Sequence, residues 1–589
     1  MTQSLTLKTP SNLALYICLT GIVFLFSCAP LQSDEPLDLE PEEATTEVGY
    51  DEPNTTADTD YENNEFEPEP VDASVNNGDE ENSTGVDSAD QNGELTGLAA
   101  NTATLDDGFE AAGAESSLIK ATGEDGGFIE GDCPFDQKTA QKFNVTCGTL
   151  FVPENREENS GKTIQLAVMI LPAANGNPQP DPVIYLEGGP GGSAIAGFAA
   201  DPEGWAQYGF AQNRDLVLFD QRGTGYSIPE LDCSEEDQRG DAADRAEACK
   251  ASLTAAGVDL AAYNTQENGA DVADLAIALG YDTYNLLGIS YGTRLALAVM
   301  RDYPEGIRSV VLDSPFPPNA NPAETEADLA WRRFQDVFAA CAQDSGCSST
   351  FPNLEQTFLD TVDDMNESPI EEVYGDDLVA LVQQMMFSGA DYIYLIPLVI
   401  TDAAEGNLDL FFELEPDIFG MASSNMMGRQ LQTLVEDGET DGDAQGMYNS
   451  VMCHDEFAFA QLDIADQITQ NTVPDQVYYG LFGATIDTFT TCSIWDVGSA
   501  EPFADLAVTS DIPTLVMVGQ FDPSTPPEWG ELTVETLPNG VLAVLPGDGH
   551  SLVSSNPCAI SMMDAFFANP NNLDTGCVNQ TDAVFFELR

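Results

Sequence analysis

The sequence predicts an α/β fold, a mostly parallel central sheet carrying an inserted and largely helical cap. Short β-like runs recur at 150–152, 164–171, 183–186, 216–219, 284–287, 309–312, 514–518 and 541–545. Several are continuously apolar and bounded by Gly, Pro or Asp, the pattern of central strands covered on both faces. Helical periodicity fills gaps between them, notably at 268–279 and 293–302, and such alternation argues a parallel sheet flanked by helices. The rhythm stops between 312 and 514, where helix-like stretches stand at 324–341, 354–365 and 376–386. Residues 319–503 therefore read as a cap over the C-terminal strand ends, the edge at which open α/β sheets bind ligands. The core is split into 133–318 and 504–589, and no internal repeat is evident.

Residues 1–28 read as an export signal. Lys8 lies in a short polar start, 13–26 is apolar but short for a membrane span, and Ser27 and Cys28 follow. Leu25-Phe26-Ser27-Cys28 resembles the lipobox of bacterial lipoproteins, which implies lipid on the Cys28 sulfur and a membrane partner; an ordinary secretory signal or an uncleaved anchor is the alternative. Residues 29–132 then lose apolar periodicity. From 31 to 132 there are 30 acids against one base, Lys120, a net charge of −29. Such a segment cannot bury enough apolar surface to offset its ordering entropy, and self-repulsion extends it, so it reads as a tether. An acidic ion-binding arm is the alternative.

Of the total net charge of −83, about −55 falls on 133–589. A surface this acidic repels phosphate backbones, which excludes nucleic acid as a partner. It suits solubility in a salty medium and attracts cationic ligands. Of 12 cysteines, Cys18 lies in the signal and Cys28 at the lipid site, leaving an even number in an exported chain. Neighbours in sequence suggest Cys133 with Cys147, Cys233 with Cys249, Cys341 with Cys347, Cys453 with Cys492, and Cys558 with Cys577, although spacing does not prove connectivity. There is no CxxC pair and the two histidines are far apart, so neither a zinc site nor any cofactor is expected.

Gly288-Ile289-Ser290-Tyr291-Gly292 follows the run at 284–287 and precedes a helical pattern. Strand, GxSxG elbow and helix in that order are how an α/β-hydrolase fold presents a nucleophilic serine. The glycines leave room for a tight turn that forces Ser290 into a strained conformation. A serine hydroxyl needs a base. His550, in Gly547-Asp548-Gly549-His550 beyond the last strand, sits at the right edge of the sheet, whereas His454 precedes the expected acid and breaks the order Ser, Asp, His. Asp522, after the run at 514–518, is placed to orient His550 and stabilise its imidazolium; Asp511 lies at the wrong strand end. For the oxyanion, Tyr291 supplies one backbone N–H and the Glu187-Gly188-Gly189-Pro190-Gly191-Gly192 turn another, from Gly188 or Gly189, with Gly189 preferred. That turn lacks both the GK[ST] ending of a P-loop and the GxGxxG spacing of a dinucleotide site.

Glu187-Gly188-Gly189-Pro190-Gly191, Asp220-Gln221-Arg222-Gly223-Thr224-Gly225-Tyr226-Ser227 and Gly288-Ile289-Ser290-Tyr291-Gly292-Thr293 together resemble the HGGPG, DQRGxGxS and GxSYG signatures of prolyl aminopeptidases and their tripeptidyl-aminopeptidase relatives. Glu187 stands where prolyl aminopeptidases carry histidine. The resemblance covers about 133–580. It implies an exopeptidase acting on peptide substrates with free N-termini, with Asp220 and Arg222 bracing the active-site loop. Selection of a free N-terminus requires an anion at fixed distance from Ser290, and Asp455 and Glu456, beside Cys453 in the cap, are the candidates. Asp437, Glu439, Asp441, Gly442 and Asp443 imitate a calcium loop, but Tyr448 occupies the position of its bidentate glutamate, so the segment reads as an exposed loop.

The reading that follows is an exported serine aminopeptidase using Ser290, Asp522 and His550. Two others are an exported carboxylesterase with the same triad, separated from it by turnover of N-blocked substrates, and a non-catalytic surface-binding lipoprotein, separated by fluorophosphonate labelling. Epoxide and haloalkane hydrolases use aspartate at the elbow, where this chain has serine.

Overall fold

The computed structural model describes residues 127–157, 161–234, 240–422, 444–580 and 586–588, with backbone alone for 416–422. Cys28, the signal, most of the acidic tether and the loop at 437–443 lie outside the described residues. Nine strands form one sheet: β1 (Phe128–Gly131), β2 (Thr146–Pro153), β3 (Thr163–Leu171), β4 (Val183–Leu186), β5 (Leu216–Phe219), β6 (Tyr284–Ile289), β7 (Ile307–Asp313), β8 (Thr514–Gly519) and β9 (Gly540–Leu545). Their order is β1-β2-β3-β5-β4-β6-β7-β8-β9. The pairs from β5 to β9 are parallel, and β1, β2, β3 and β5 pair antiparallel at the other edge.

Alternation along each strand sorts the core into two layers. Tyr185, Leu218, Leu287, Val311 and Met517 face one side, where Met562, Met563, Phe566 and Phe567 of helix Pro557–Ala568 cover them. Ile184, Leu186, Phe219, Leu286, Leu312 and Val516 face the other, against Val272 and Leu275 of helix Thr265–Ala278 and Leu295 and Val299 of helix Tyr291–Asp302. β4, β5, β6 and β8 are buried along their whole length, as their unbroken apolar runs require.

One boundary is corrected. Residues 128–131, expected to belong to a tether reaching 132, form β1, which pairs with β2 from Phe128 opposite Leu150 to Gly131 opposite Cys147. The Phe128 ring lies across Gly148, where a Cβ would meet it at 2.5 Å, so an apolar side chain finds cover among acidic neighbours.

Between β7 and β8 the described residues are mainly helical. Helix Pro322–Gln343 starts on Asn321, whose side chain accepts the Glu324 N–H at 3.1 Å, with proline in the first turn. It packs with helices Leu354–Glu367, Gly375–Phe387, Ile396–Ala404 and Tyr478–Trp495 around a core of Trp331, Phe334, Phe358, Met385, Ile396 and Phe482. Phe521, one residue before Asp522, belongs to the same cluster. All five disulfides join the sequence neighbours named above, and they suit an exported protein. Among the described residues, no helix is long and apolar enough to cross a membrane.

The segment after β5 braces the sheet top. Arg222 is fully buried, with Nε and Nη2 each 2.8 Å from Asp271 and Nη1 donating to the Glu154 and Ala262 carbonyls. Arg156 bridges the same Asp271 and Asp274 at 2.7 Å. Removing one partner of a buried network strands the others in a medium that solvates charge poorly. Arg222→Leu is therefore expected to lower unfolding free energy by about 3–5 kcal/mol, read as a fall in the denaturant midpoint; an unchanged midpoint would contradict this account.

Candidate active site

Ser290 sits between β6 and helix Tyr291–Asp302 with φ 54° and ψ −125°. A non-glycine residue with positive φ is strained by about 1–3 kcal/mol, and the surroundings here enforce it. A Cβ on Gly288 would lie 2.4 Å from the Gly292 carbonyl oxygen, and one on Gly292 would lie 2.0 Å from that of Leu186. Both glycines are thus required by backbone contact. Ser290 makes no side-chain cap bond to the helix and stays half-exposed after the C-terminal end of β6.

Asp522 follows β8 and His550 follows β9. His550 Nδ1 lies 2.8 Å from Asp522 Oδ2 and 3.1 Å from Thr525 Oγ1. The carboxylate is fully buried yet well supplied with donors. Its Oδ1 accepts the Ser524 and Thr525 N–H groups at 2.9 Å, and Oδ2 accepts the Thr525 hydroxyl at 2.7 Å. Burial alone would push its pKa up, but His550 and these donors outweigh it, holding the carboxyl below its ordinary range. Nδ1 engaged by a carboxylate leaves Nε2 as the second nitrogen of the ring, the arrangement that a base toward serine requires.

The two loops meet at the end of β7, a connection that sequence reasoning missed. The Asp313 carbonyl accepts the Ser290 N–H at 3.0 Å. Its carboxylate accepts the Leu552 and Val553 N–H groups at 3.1 and 2.7 Å, and the next residue, Ser314, accepts the Ser551 N–H on its Oγ at 2.9 Å. Elbow and histidine loop therefore hang from two consecutive residues. Burial pushes the Asp313 carboxyl up to about 6 against those N–H donors. Asp313 ends an apolar strand, as many solvated acids do, and its sequence context carries no signal of this role.

At the end of β4, the Gly188 N–H donates at 2.9 Å to Glu187 Oε1. Gly188 is close to the elbow, since a Cβ there would be 3.0 Å from Ser290 Cβ. With Gly188 engaged, the next donor is Gly189. Among the described residues, no acceptor stands on the N–H of Gly189 or Tyr291. Tyr291 is buried directly after Ser290 and Gly189 is half-buried in the turn that meets the elbow at Gly188, and N–H groups without an acceptor there are suited to an oxyanion. Asp220, Gln221 and Ser193 steady the turn. Asp220 Oδ1 accepts from Ser193 Oγ and the Ile195 N–H, and Gln221 Nε2 donates to the Glu187 carbonyl at 2.9 Å. Burial raises the Asp220 carboxyl to about 6.

Asp455 and Glu456, expected to meet a substrate ammonium, are engaged elsewhere. Both are buried, at 3% and 4% exposure. Asp455 lies 2.6 Å from His454 Nδ1 and accepts the Thr265 N–H at 2.9 Å, while Glu456 is ion-paired with Arg294. Burial raises Glu456 to about 8 despite Arg294, whereas in Asp455 the His454 bond overcomes burial and lowers the pKa. Thr265 in turn lies 3.0 Å from the Tyr291 hydroxyl. These carboxylates fasten the cap to helices Thr265–Ala278 and Tyr291–Asp302 and are withdrawn as substrate anions.

Sheet order, elbow and inserted helices define an α/β-hydrolase, and the family model described as alpha/beta hydrolase fold matches residues 181–352. A second model, described as TAP-like protein, matches 479–578. The chain is 25% identical over 445 residues to the serine protease Hip1 of Mycobacterium tuberculosis, covering 69% of this chain and 82% of that protein. It is 30% identical over 263 residues to a tripeptidyl aminopeptidase of Streptomyces coelicolor, covering 39% and 47%. It is 22% identical over 402 residues to a probable proline iminopeptidase of Leptolyngbya boryana, covering 68% and 90%. The protein is a hydrolase related to serine proteases and aminopeptidases.

The raised carboxyls set a pH dependence. Asp220 and Asp313, both moved from 3.8 to about 6, bind protons more tightly in the fold than in the unfolded chain. Stability therefore falls as pH rises from about 4 through about 6. The lowered Asp522 acts in the opposite sense only below its ordinary range. Thermal midpoints are expected to be higher at about pH 5 than at about pH 7.5; a reversed order in calorimetry would refute the assignment.

Proposed function

We propose that the protein is a serine exopeptidase that hydrolyses peptide bonds near free N-termini through an acyl-enzyme. The observation that carries this reading is the buried pair of His550 and Asp522, joined through Asp313 and Ser314 to a strained Ser290. Ser290 Oγ attacks the scissile carbonyl while His550 Nε2 takes its proton, and Asp522 holds the imidazolium. The developing oxyanion accepts the N–H groups of Tyr291 and Gly189. Collapse breaks the C–N bond as His550 returns the proton to the leaving amine. Water, deprotonated by the same imidazole, then releases the acyl group and restores Ser290.

The preference for free N-termini is supported by the three glycine-rich signatures and by relatives named as aminopeptidases. A chain of net charge −83 also concentrates cationic termini around itself. Lipid attachment at Cys28 and the acidic tether would hold the enzyme away from a membrane, where it meets peptides as its partners.

A fluorophosphonate probe is expected to label the protein and to leave Ser290→Ala unlabelled; equal labelling would overturn the nucleophile. Free-amine tripeptidyl or aminoacyl anilides should be cleaved at least tenfold faster than their N-acetylated forms (about 1.4 kcal/mol). Equal turnover of the blocked forms would favour an esterase. Cys28→Ser is expected to abolish incorporation of labelled fatty acid and move the protein from the membrane fraction; unchanged incorporation would exclude anchoring at Cys28.

A further inference from the structure

The loop bearing His550 has a second support, which comes from the cap. Helix Gly375–Phe387 ends against it. The Phe387 carbonyl accepts the His550 N–H at 2.9 Å, and the Phe387 ring stacks on the imidazole with centroids 4.3 Å apart and planes 20° from parallel. Three residues on, the Ala390 N–H donates to Asp548 Oδ1 at 3.2 Å. The fit is tight, because a Cβ on Gly549 would stand 1.9 Å from the Met386 carbonyl oxygen. This end of the cap thus touches the loop at Asp548, Gly549 and His550 in turn.

From this geometry we propose that Phe387 is a positioning residue for His550, and that the cap through it forms part of the catalytic machinery. The inference rests on the reading of His550 as general base. Asp522 and Thr525 fix the ring at Nδ1, but bonds at one nitrogen leave the ring free to tilt about that edge. A flat aromatic face stacked against the imidazole removes that tilt, and a stacked pair is favourable beyond its buried area. Nε2 is then held toward Ser290 in the geometry that proton transfer needs. Phe387 is half-buried and belongs to the element that also shapes the cap interior. A displacement of this helix end on binding is accordingly passed to the base in two ways, through a backbone hydrogen bond and through ring contact.

The test uses the full-length protein and Phe387→Leu, which keeps the backbone carbonyl and much of the apolar bulk but removes the ring. The rate of Ser290 labelling by a fluorophosphonate is expected to fall roughly tenfold or more, and kcat on a free-amine anilide to fall in step with KM little changed. The chain has 2 histidines, so histidine-selective carbon-13 labelling, with His454→Gln for assignment, isolates the His550 ring signal. In Phe387→Leu that signal should move downfield as the aromatic ring current is lost, and Phe387→Tyr should restore both position and rate. An unmoved His550 resonance, or unchanged labelling in Phe387→Leu, would overturn the proposal. If the unsubstituted protein takes no label, the hydrolase mechanism fails first, while the resonance still reports whether the rings stack. A Phe387→Tyr variant that folds but restores neither quantity would also count against it.

Discussion

The C-terminal end of β7 carries two residues on which the geometry of the site depends. The Asp313 backbone oxygen holds the elbow at Ser290, its carboxylate holds the turn after His550, and Ser314 takes the N–H of Ser551 while donating its own to Met517 on β8 at 2.8 Å. Three segments far apart in the chain are thereby referred to one point. The acceptors are carbonyls, a carboxylate and a hydroxyl in a buried setting, where such bonds are strong and their loss costly. A carboxylate here is costly in its own right, since burial raises its pKa. That cost is tolerated because no apolar side chain could satisfy two backbone donors at once.

The cap is fastened around this point. It reaches the histidine loop through Phe387 and Ala390, the glycine-rich turn after β4 through the Ala444 N–H on the Gly191 carbonyl at 3.1 Å, and the core helices through Asp455 and Glu456. With 18 basic residues against 101 acids, arginine is scarce. Arg222 and Arg294 are nevertheless placed in the interior and Arg156 at its margin, each on carboxylates of another element. Their fixed charge and forked geometry suit them to gather several acids at once. Surface acids remain to repel one another and are relieved by salt.

The eight β-like runs all became strands because period and flanking turn residues are local properties, and the elbow was legible for the same reason. β1 was hidden by its acidic neighbours, since its shelter comes from Gly148 on another strand. The roles of Asp455 and Glu456 were misread because their partners, Arg294 and Thr265, lie more than 150 residues away in the chain. In an acidic chain a carboxylate gives no sign in sequence of which base will claim it. Asp313 and Phe387 were invisible for a related reason: each acts on main-chain atoms or a ring brought in by topology. Position after a strand, which singled out Asp522 and His550, corresponds to the contact of these two side chains at 2.8 Å, because the loops that follow neighbouring parallel strands lie side by side.

The five disulfides close loops strictly in chain order, each cysteine of the described residues joined to its next neighbour, with separations from 6 to 39 residues. For a polypeptide threaded outward from its N-terminus, each of these ten thiols meets its proper partner before a later one of the ten has emerged. Oxidation can then keep pace with translocation, and scrambled pairings that an isomerase would have to undo are avoided by order of arrival. None of these links spans from the cap to the hydrolase core, so the covalent scaffold stiffens each part while leaving their alignment to hydrogen bonds and ring contacts.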